Sequence, residues 1–168
     1  MAEARRNRLQ WLAIGLGLVV IAADQLIKSL LIQNLVPHHS VPFLGDVVRL
    51  YLTYNDSAAF SMGFGQTWVF ALISTIASLT VLWFIPRLQT RSWSVMAGIA
   101  LGGIVGNLVD RLFRQPGFGN GYVVDYLQIP FNFPIFNLAD MAIVTMAILT
   151  VLRILFGHKI ELTPRVRK

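Results

Sequence analysis

Four long apolar segments, separated by polar connections, dominate the pattern of this chain of 168 residues. Each apolar segment approaches the roughly 20 residues that an α-helix needs to cross the hydrocarbon core of a bilayer. The first segment follows a basic stretch, as in a signal peptide, but no small-residue cleavage site comes after it, so we predict a retained transmembrane helix. The predicted spans are approximately residues 11–31, 67–85, 93–110 and 138–156 of one integral-membrane domain covering residues 1–168.

Two longer connections, residues 32–66 and 111–137, contain prolines and glycines that interrupt any helix. Residues 47–54 are rich in β-branched and aromatic side chains, which is typical of a strand, and residues 122–129 form a second short extended segment. We therefore predict a mainly α membrane protein, with four transmembrane helices and a small β-sheet on the outer membrane surface. Three apolar side chains in the first connection are expected to contact lipid: Phe60, Met62 and Phe64.

The composition agrees with a membrane protein, since 55% of the residues are hydrophobic and 13% are charged. A soluble domain usually carries about 25% charged residues. The absence of Cys excludes disulfides, thiolate metal sites and a Cys nucleophile. Three scattered histidines do not make a metal cage, so we predict neither a metal nor another cofactor: His38, His39 and His158.

The net charge of +6 does not indicate nucleic-acid binding, because the basic residues flank the apolar segments instead of lining one face. They concentrate before the first span, between the second and third, and after the fourth, which are on one side of a four-span protein. The positive-inside rule places that side, with both termini, in the cytoplasm. The basic residues concerned are Arg5, Arg6, Arg8, Arg87, Arg91, Lys159, Arg165, Arg167 and Lys168.

Three of the eight acidic residues border the last two apolar segments on the predicted outer side. Asp110 ends the third span, Asp140 begins the fourth, and Asp125 lies in the connection between them. A carboxylate is costly in hydrocarbon, so acids at these positions indicate a functional site. Two close carboxylates share a proton and provide the acid and the base for hydrolysis. The pattern leaves open which two of the three acids form such a dyad.

Polar residues at helical spacing accompany these acids. Asn107 and Asn137 each precede an Asp by three residues, on the same helix face, where an amide can orient a carboxylate or donate to a developing oxyanion. Asp24 and Lys28 are separated by four residues in the first span, so they can form an ion pair. That pair has two open interpretations, a structural pair near the interface with Lys28 snorkelling, or a direct role in binding.

Five short motifs follow one another along the chain. They are residues 24–28 (DQLIK), 54–61 (YNDSAAFS), 106–111 (GNLVDR), 123–126 (VVDY) and 136–140 (FNLAD). With these motifs the chain resembles the bacterial lipoprotein signal peptidases, or signal peptidases II, which are aspartyl proteases of the inner membrane. Any one motif is weak, whereas five in order at matching topological positions are specific.

The resemblance implies an endopeptidase that removes the signal peptide from diacylglyceryl-modified prolipoproteins, cutting just before the lipidated Cys. It implies a catalytic dyad of Asp125 and Asp140, with Asp110 as a supporting acid held with Arg111. It also implies four spans, a periplasm-facing site and inhibition by globomycin, and we expect a monomer. The remaining positions that it implies in substrate binding or support are Asn55, Asn107, Arg111, Asn137, Asp24 and Lys28.

Two departures from the family pattern concern the outer connections. Ser57 stands where the family usually has Gly, which affects the loop geometry around Asn55, and residues 111–122 are longer than in many relatives. Two other functions fit the same acids. One is a transporter or proton relay, which also uses intramembrane acids, and the other is a non-catalytic assembly or lipid-binding protein in which the acids stabilise helix ends.

Overall fold

The computed structural model describes residues 2–56 and 67–162. Four of its helices are long and apolar enough to cross a membrane, and three strands form a small antiparallel sheet, which confirms the predicted fold class. Ser57, Phe60, Met62 and Phe64, for which we stated expectations, lie outside the described residues. In chain order the elements are α1 (Ala2–Asn34), β1 (Ser40–Leu44), β2 (Val48–Asn55), α2 (Thr67–Phe84), a short 3-10 turn (Ile85–Arg87), α3 (Arg91–Phe113), β3 (Val123–Gln128) and α4 (Leu138–Leu155).

Helix α3 is the centre of the bundle and packs against the other three helices. Glycines let α1 approach it closely: a Cβ atom added at Gly98 would lie 2.3 Å from the carbonyl oxygen of Ala13, and one at Gly102 would lie 2.5 Å from Cβ of Val20. Small residues permit close helix approach in membranes, so these glycines serve the packing of α1 against α3.

Helices α1 and α3 extend beyond the predicted spans, most clearly at the N-terminus, whereas α2 and α4 each end one residue before the predicted position. Helix α1 begins at Ala2, nine residues before position 11, so its first turns carry the basic residues of that region. Helix α3 continues to Phe113, which places Asp110 within its last turn. Hydropathy shows where a helix becomes polar and not where its backbone hydrogen bonds stop, so a polar helix end outside the apolar segment is missed.

The sheet has the order β1-β2-β3, with both pairs antiparallel. Strand β1 was not predicted, because its Pro42 was interpreted only as a helix breaker. Proline is tolerated there since β1 is an edge strand. On the other side of β2, Thr53 is paired with Asp125 and Asn55 with Val123, so the register brings the end of β2 next to the acid of β3.

The two ends of the bundle differ. At one end the Gln10 side chain donates to the carbonyl oxygen of Pro86 at 3.5 Å, and the Trp93 indole donates to that of Lys159 at 3.0 Å. These contacts bring together the first part of α1, the connection between α2 and α3, and the segment after α4. The sheet and the buried acids occupy the opposite end.

Candidate active site

Asp125 and Asp140 meet at a single residue, Asn137. Asn137 is the N-cap of α4 and Asp140 is the third residue of that helix, and the two form a capping box. The Asp140 backbone N–H donates to Oδ1 of Asn137 at 2.9 Å, and the Asn137 backbone N–H donates to Oδ2 of Asp140 at 3.1 Å. The Asn137 side-chain amide then donates to Oδ1 of Asp125 at 2.6 Å. One residue therefore holds both carboxylates.

Two further amides complete the contacts of these acids. Asn55, at the end of β2, donates to Oδ2 of Asp125 at 2.8 Å. Asn107 of α3 donates to Oδ1 of Asp140 at 2.7 Å. Each carboxylate thus accepts two N–H groups that carry no net charge. Within the described part of the chain, neither acid forms an ion pair.

Burial governs the protonation of Asp125, which lies on β3 outside the helices. Loss of solvation raises the pKa of Asp125 to about 7, and the charge of Asp140 adds to the effect, while the amides of Asn55 and Asn137 and the charge of Lys28 oppose it. A carboxyl with such a pKa exchanges its proton near neutral pH, as general acid–base catalysis requires.

Tyr126 joins β3 to the start of α4, a role that sequence reasoning missed. The backbone N–H of Leu138, free at the helix N-terminus, donates to the Tyr126 hydroxyl oxygen at 3.1 Å. Burial raises the pKa of Tyr126 to about 12, so the phenol stays protonated. The sequence signal was its position directly after Asp125 in the VVDY motif.

A second buried cluster surrounds Asp110 and contains cations. The Lys28 ammonium lies 2.8 Å from Oδ2 of Asp24 and 2.7 Å from Oδ2 of Asp110, and all three side chains are 0% exposed. Arg114 contacts the other oxygen of Asp110 at 2.5 Å. The backbone N–H of Val124 donates to Asp110 at 3.2 Å. Asp110 therefore connects α1 and α3 to the start of β3. The β3 residue that it contacts, Val124, directly precedes Asp125 in the chain.

These contacts decide several open points. Asp24 and Lys28 do pair, but Lys28 is fully buried, which excludes the snorkelling interpretation. The expectation that Asp110 is held with Arg111 is wrong for the described residues, since the ion pairs of Asp110 are with Lys28 and Arg114. Successive residues of a helix point in different directions, whereas residues four apart share a face, so the spacing of Asp110 and Arg114 was the available signal.

Asn107 and Gln25 also differ from the sequence-based interpretation. Asn107 donates to Asp140 of α4 and not to Asp110 of its own helix, because the Asp110 carboxylate is turned towards the cations. Gln25 was quoted within a motif but given no role. Its amide donates to Oδ1 of Asp110 and to the carbonyl oxygen of Gly106, both at 3.0 Å, so it links α1 to α3.

Arg111 is a buried cation beside the dyad. It is 9% exposed, and its guanidinium lies 5.4 Å from the centre of the Phe70 ring. Its Nε and one terminal nitrogen have no hydrogen-bond partner among the described residues. Asp125 and Asp140 exert the strongest attraction on its charge. Two buried donors of Arg111 are thus without a partner in the described part of the chain, under the influence of the two acids.

Together these features define a four-helix membrane protein with a buried dicarboxylate site at one end of the bundle. A model of the family described as signal peptidase (SPase) II matches residues 16–156. The lipoprotein signal peptidase of Mycobacterium avium is 41% identical over 166 residues, which is 99% of this chain and 91% of that protein. This chain therefore belongs to the signal peptidase II family, as the motifs predicted.

Other relatives and solved structures agree. The lipoprotein signal peptidase of Leifsonia xyli is 47% identical over 128 residues, 76% of this chain but 59% of the Leifsonia protein. A solved bacterial membrane enzyme superimposes with a TM-score of 0.78 at 22% identity and covers 92% of this chain and 94% of its own. A second bacterial membrane enzyme gives a TM-score of 0.74 at 23% identity, with 85% and 92% covered. These structures share the fold.

Proposed function

We propose that this chain is an aspartyl endopeptidase that removes the signal peptide from diacylglyceryl-modified prolipoproteins, cutting on the N-terminal side of the lipidated Cys. Its relatives are named lipoprotein signal peptidases, which supports the substrate class. The observation that carries the mechanism is the contact of Asp125 and Asp140 with the same Asn137. Both acids are held by amides, so one proton can be shared between them.

The proposed reaction adds water across the scissile amide. One carboxylate of the dyad takes a proton from water as the water oxygen forms a bond to the carbonyl carbon, and the other acid gives its proton to the carbonyl oxygen. The tetrahedral intermediate then collapses. The C–N bond breaks, the amine nitrogen takes a proton from the first acid, and the second acid recovers a proton from the hydroxyl that becomes the new carbonyl.

The surrounding residues have supporting roles in this proposal. Asn55, Asn107 and Asn137 keep the two carboxylates oriented through their N–H groups. We assign to Arg111, two of whose donors have no partner among the described residues, the binding of a carbonyl or ester oxygen of the substrate. Asp24, Lys28 and Asp110 support the site next to Asn107, where their charges are balanced together with that of Arg114.

We further propose that the protein lies in the bacterial inner membrane with both termini in the cytoplasm and the dyad facing the periplasm. The bundle end opposite the dyad carries basic residues, as the positive-inside rule requires of the cytoplasmic side. A lipidated Cys is anchored at the membrane surface, so its peptide bond is available at the level of the dyad. We expect a monomer that is inhibited by globomycin. The basic residues at that end include Arg5, Arg6, Arg8, Arg87, Arg91 and Lys159.

Cleavage of a purified diacylglyceryl-modified prolipoprotein in detergent, with EDTA present, tests the proposal. Wild type is expected to cut before the lipidated Cys and to be inhibited by globomycin. Asp125→Asn and Asp140→Asn should each lower kcat by about 10⁴-fold or more, because neither can replace a dyad carboxylate. Asp46→Asn is a matched control, since the Asp46 side chain is 94% exposed and pairs only with Arg49 among the described residues.

Three results would contradict the proposal in different ways. Cutting by Asp125→Asn together with inactivity of Asp110→Asn in a folded protein would show that the dyad is assigned wrongly. Loss of cleavage in EDTA alone would show that a metal takes part. Absence of cleavage by wild type would contradict the peptidase itself, and ion or solute flux in vesicles would then test the transporter alternative.

A further inference from the structure

We infer, on the basis of the proposed function, that Lys28 is a positioning residue for the dyad. Its ammonium fixes the orientation of the Asn107 amide so that an N–H group faces Asp140. The chain of contacts consists of the Lys28 ammonium 3.0 Å from Oδ1 of Asn107 and the Asn107 amide nitrogen 2.7 Å from Oδ1 of Asp140. Lys28 thus acts on the reacting carboxylate without contacting it.

The polarity of these contacts follows from the chemistry of an ammonium group. Lysine has three N–H donors and no acceptor, and here the three donors contact Asp24, Asp110 and Asn107. Only the oxygen of the Asn107 amide can face Lys28, so its nitrogen must point the other way. A flipped amide would place N–H groups against the ammonium and oxygen against the Asp140 carboxylate, and both contacts would be repulsive.

Asn137 shows that the second amide at the dyad is oriented in a different way. Its Oδ1 accepts the backbone N–H of Asp140 at 2.9 Å, so the helix N-terminus itself fixes that amide. Its nitrogen is thereby directed to Oδ1 of Asp125 at 2.6 Å and to Oδ1 of Asn107 at 3.1 Å. Asn107 lies within α3 and has no such backbone cap. The orientation of the Asn107 amide therefore depends on the two side chains that donate to its oxygen, Asn137 and Lys28. Of these two, Lys28 carries a charge.

Arg114 provides an internal comparison for Lys28. Both cations contact Asp110, Lys28 at Oδ2 and Arg114 at Oδ1. Together with Asp24 and Asp110 they form a cluster of two positive and two negative charges. Only Lys28 also reaches Asn107, whereas the other contact of Arg114 is to Oε1 of Gln25 at 3.2 Å. Loss of either cation unbalances the cluster, but only loss of Lys28 releases the Asn107 amide.

Lys28 also acts on the dyad through its charge. The charged or titratable groups around Asp125 are Lys28 of α1, Arg111 of α3, Asp140 of α4 and Tyr126 on its own strand. The positive charge of Lys28 lowers the pKa of Asp125 and so opposes the effect of burial. Removal of Lys28 should raise that pKa, and the dyad would then keep its shared proton to a higher pH.

The test compares Lys28→Met with Arg114→Met in the prolipoprotein cleavage assay. Both variants should unfold at a lower temperature than wild type, because each leaves Asp110 with one cation. Lys28→Met should lower kcat by about 100-fold, as expected for a misdirected donor, with KM little changed. Arg114→Met should keep kcat close to wild type. The alkaline limb of the kcat/KM profile should move up by about half a pH unit or more in Lys28→Met alone.

Asn107→Asp keeps the inference testable if Lys28→Met does not fold. Its carboxylate still accepts from Lys28 and Asn137 but presents oxygen instead of N–H to Asp140. We expect a folded protein that unfolds at a lower temperature than wild type, because two carboxylates then face each other, and whose kcat is about 100-fold lower. Equal kcat losses in Lys28→Met and Arg114→Met, or full kcat in Asn107→Asp, would overturn the inference while the peptidase stands. Absence of cleavage by wild type would overturn both.

Discussion

The site end of this protein contains two pairs of acids with opposite surroundings, of which three acids are buried and Asp140 is partly buried. Asp24 and Asp110 are 0% exposed and share the ammonium of Lys28. Asp125, 2% exposed, and Asp140 accept N–H groups from asparagines. Both pairs meet around Asn107, which accepts from Lys28 on one side and donates to Asp140 on the other.

Under the proposed function, the difference shows how one residue type serves structure in one place and chemistry in another, with Asn107 between the two. A cation beside a carboxylate favours the charged form and, when both are buried, makes the pair costly to break. An amide stabilises a carboxylate without fixing its charge, so a proton can arrive and leave. The cation-held pair therefore joins elements of the fold, and the amide-held pair is free to exchange protons.

Neutralising Asp110 should reveal the largest difference between the two pairs of acids. Asp110→Asn should destabilise the protein by about 3–5 kcal/mol, because it leaves Lys28 and Arg114 without a shared counter-charge. Asp125→Asn should retain its stability near neutral pH. Unfolding of both variants in the same detergent checks this, and a greater loss in Asp125→Asn than in Asp110→Asn would reverse the roles assigned to the two pairs.

The pH dependence of folding stability tests the same difference between the two pairs of acids, and the expected effect is smaller than that of Asp110→Asn. The pKa of Asp125 is raised in the folded protein to about 7 from an ordinary 3.8. The folded state thus binds the proton more tightly, and this contribution is complete below about pH 4 and disappears as pH rises to about 7. Wild type should lose stability across that window. Asp125→Asn should show a flatter profile, whereas an unchanged slope in this variant would contradict the raised pKa.

Gly106 lets the Asp24 carboxylate of α1 approach α3, and replacement of this glycine should give the smallest effect. A Cβ atom there would lie 2.9 Å from Oδ2 of Asp24 and 3.4 Å from Cβ of Ala139. Gly106→Ala should cost about 1–3 kcal/mol by overpacking. Gly15→Ala is the control, since an added Cβ there meets nothing within 4 Å. Equal thermal stability of the two variants would show that the Asp24 carboxylate moves freely.

The four spans, two of the three strands and the gathering of acids at one end follow from the amino-acid sequence alone. Apolar length requires the spans, because backbone groups in lipid must be satisfied within a helix. Because successive spans cross the membrane in opposite directions, Asp110, Asp125 and Asp140 lie on the same side of the membrane. The motifs indicated the family, and the i, i+4 spacing gave the pair of Asp24 and Lys28, since neighbours on a helix are fixed by its geometry.

The contacts between groups on different elements could not be predicted from the sequence, because they depend on how the helices and the sheet pack. Asn107 donates to Asp140, 33 positions away, and not to Asp110 three positions on. Asp110 pairs with Lys28 of α1, a choice that depends on how closely glycines let α1 and α3 pack. The spacing of residues along a helix determines on which face of that helix a side chain lies. It does not determine which other helix packs against that face, or how closely the two helices approach. The division of four acids into two pairs is therefore a property of the packing.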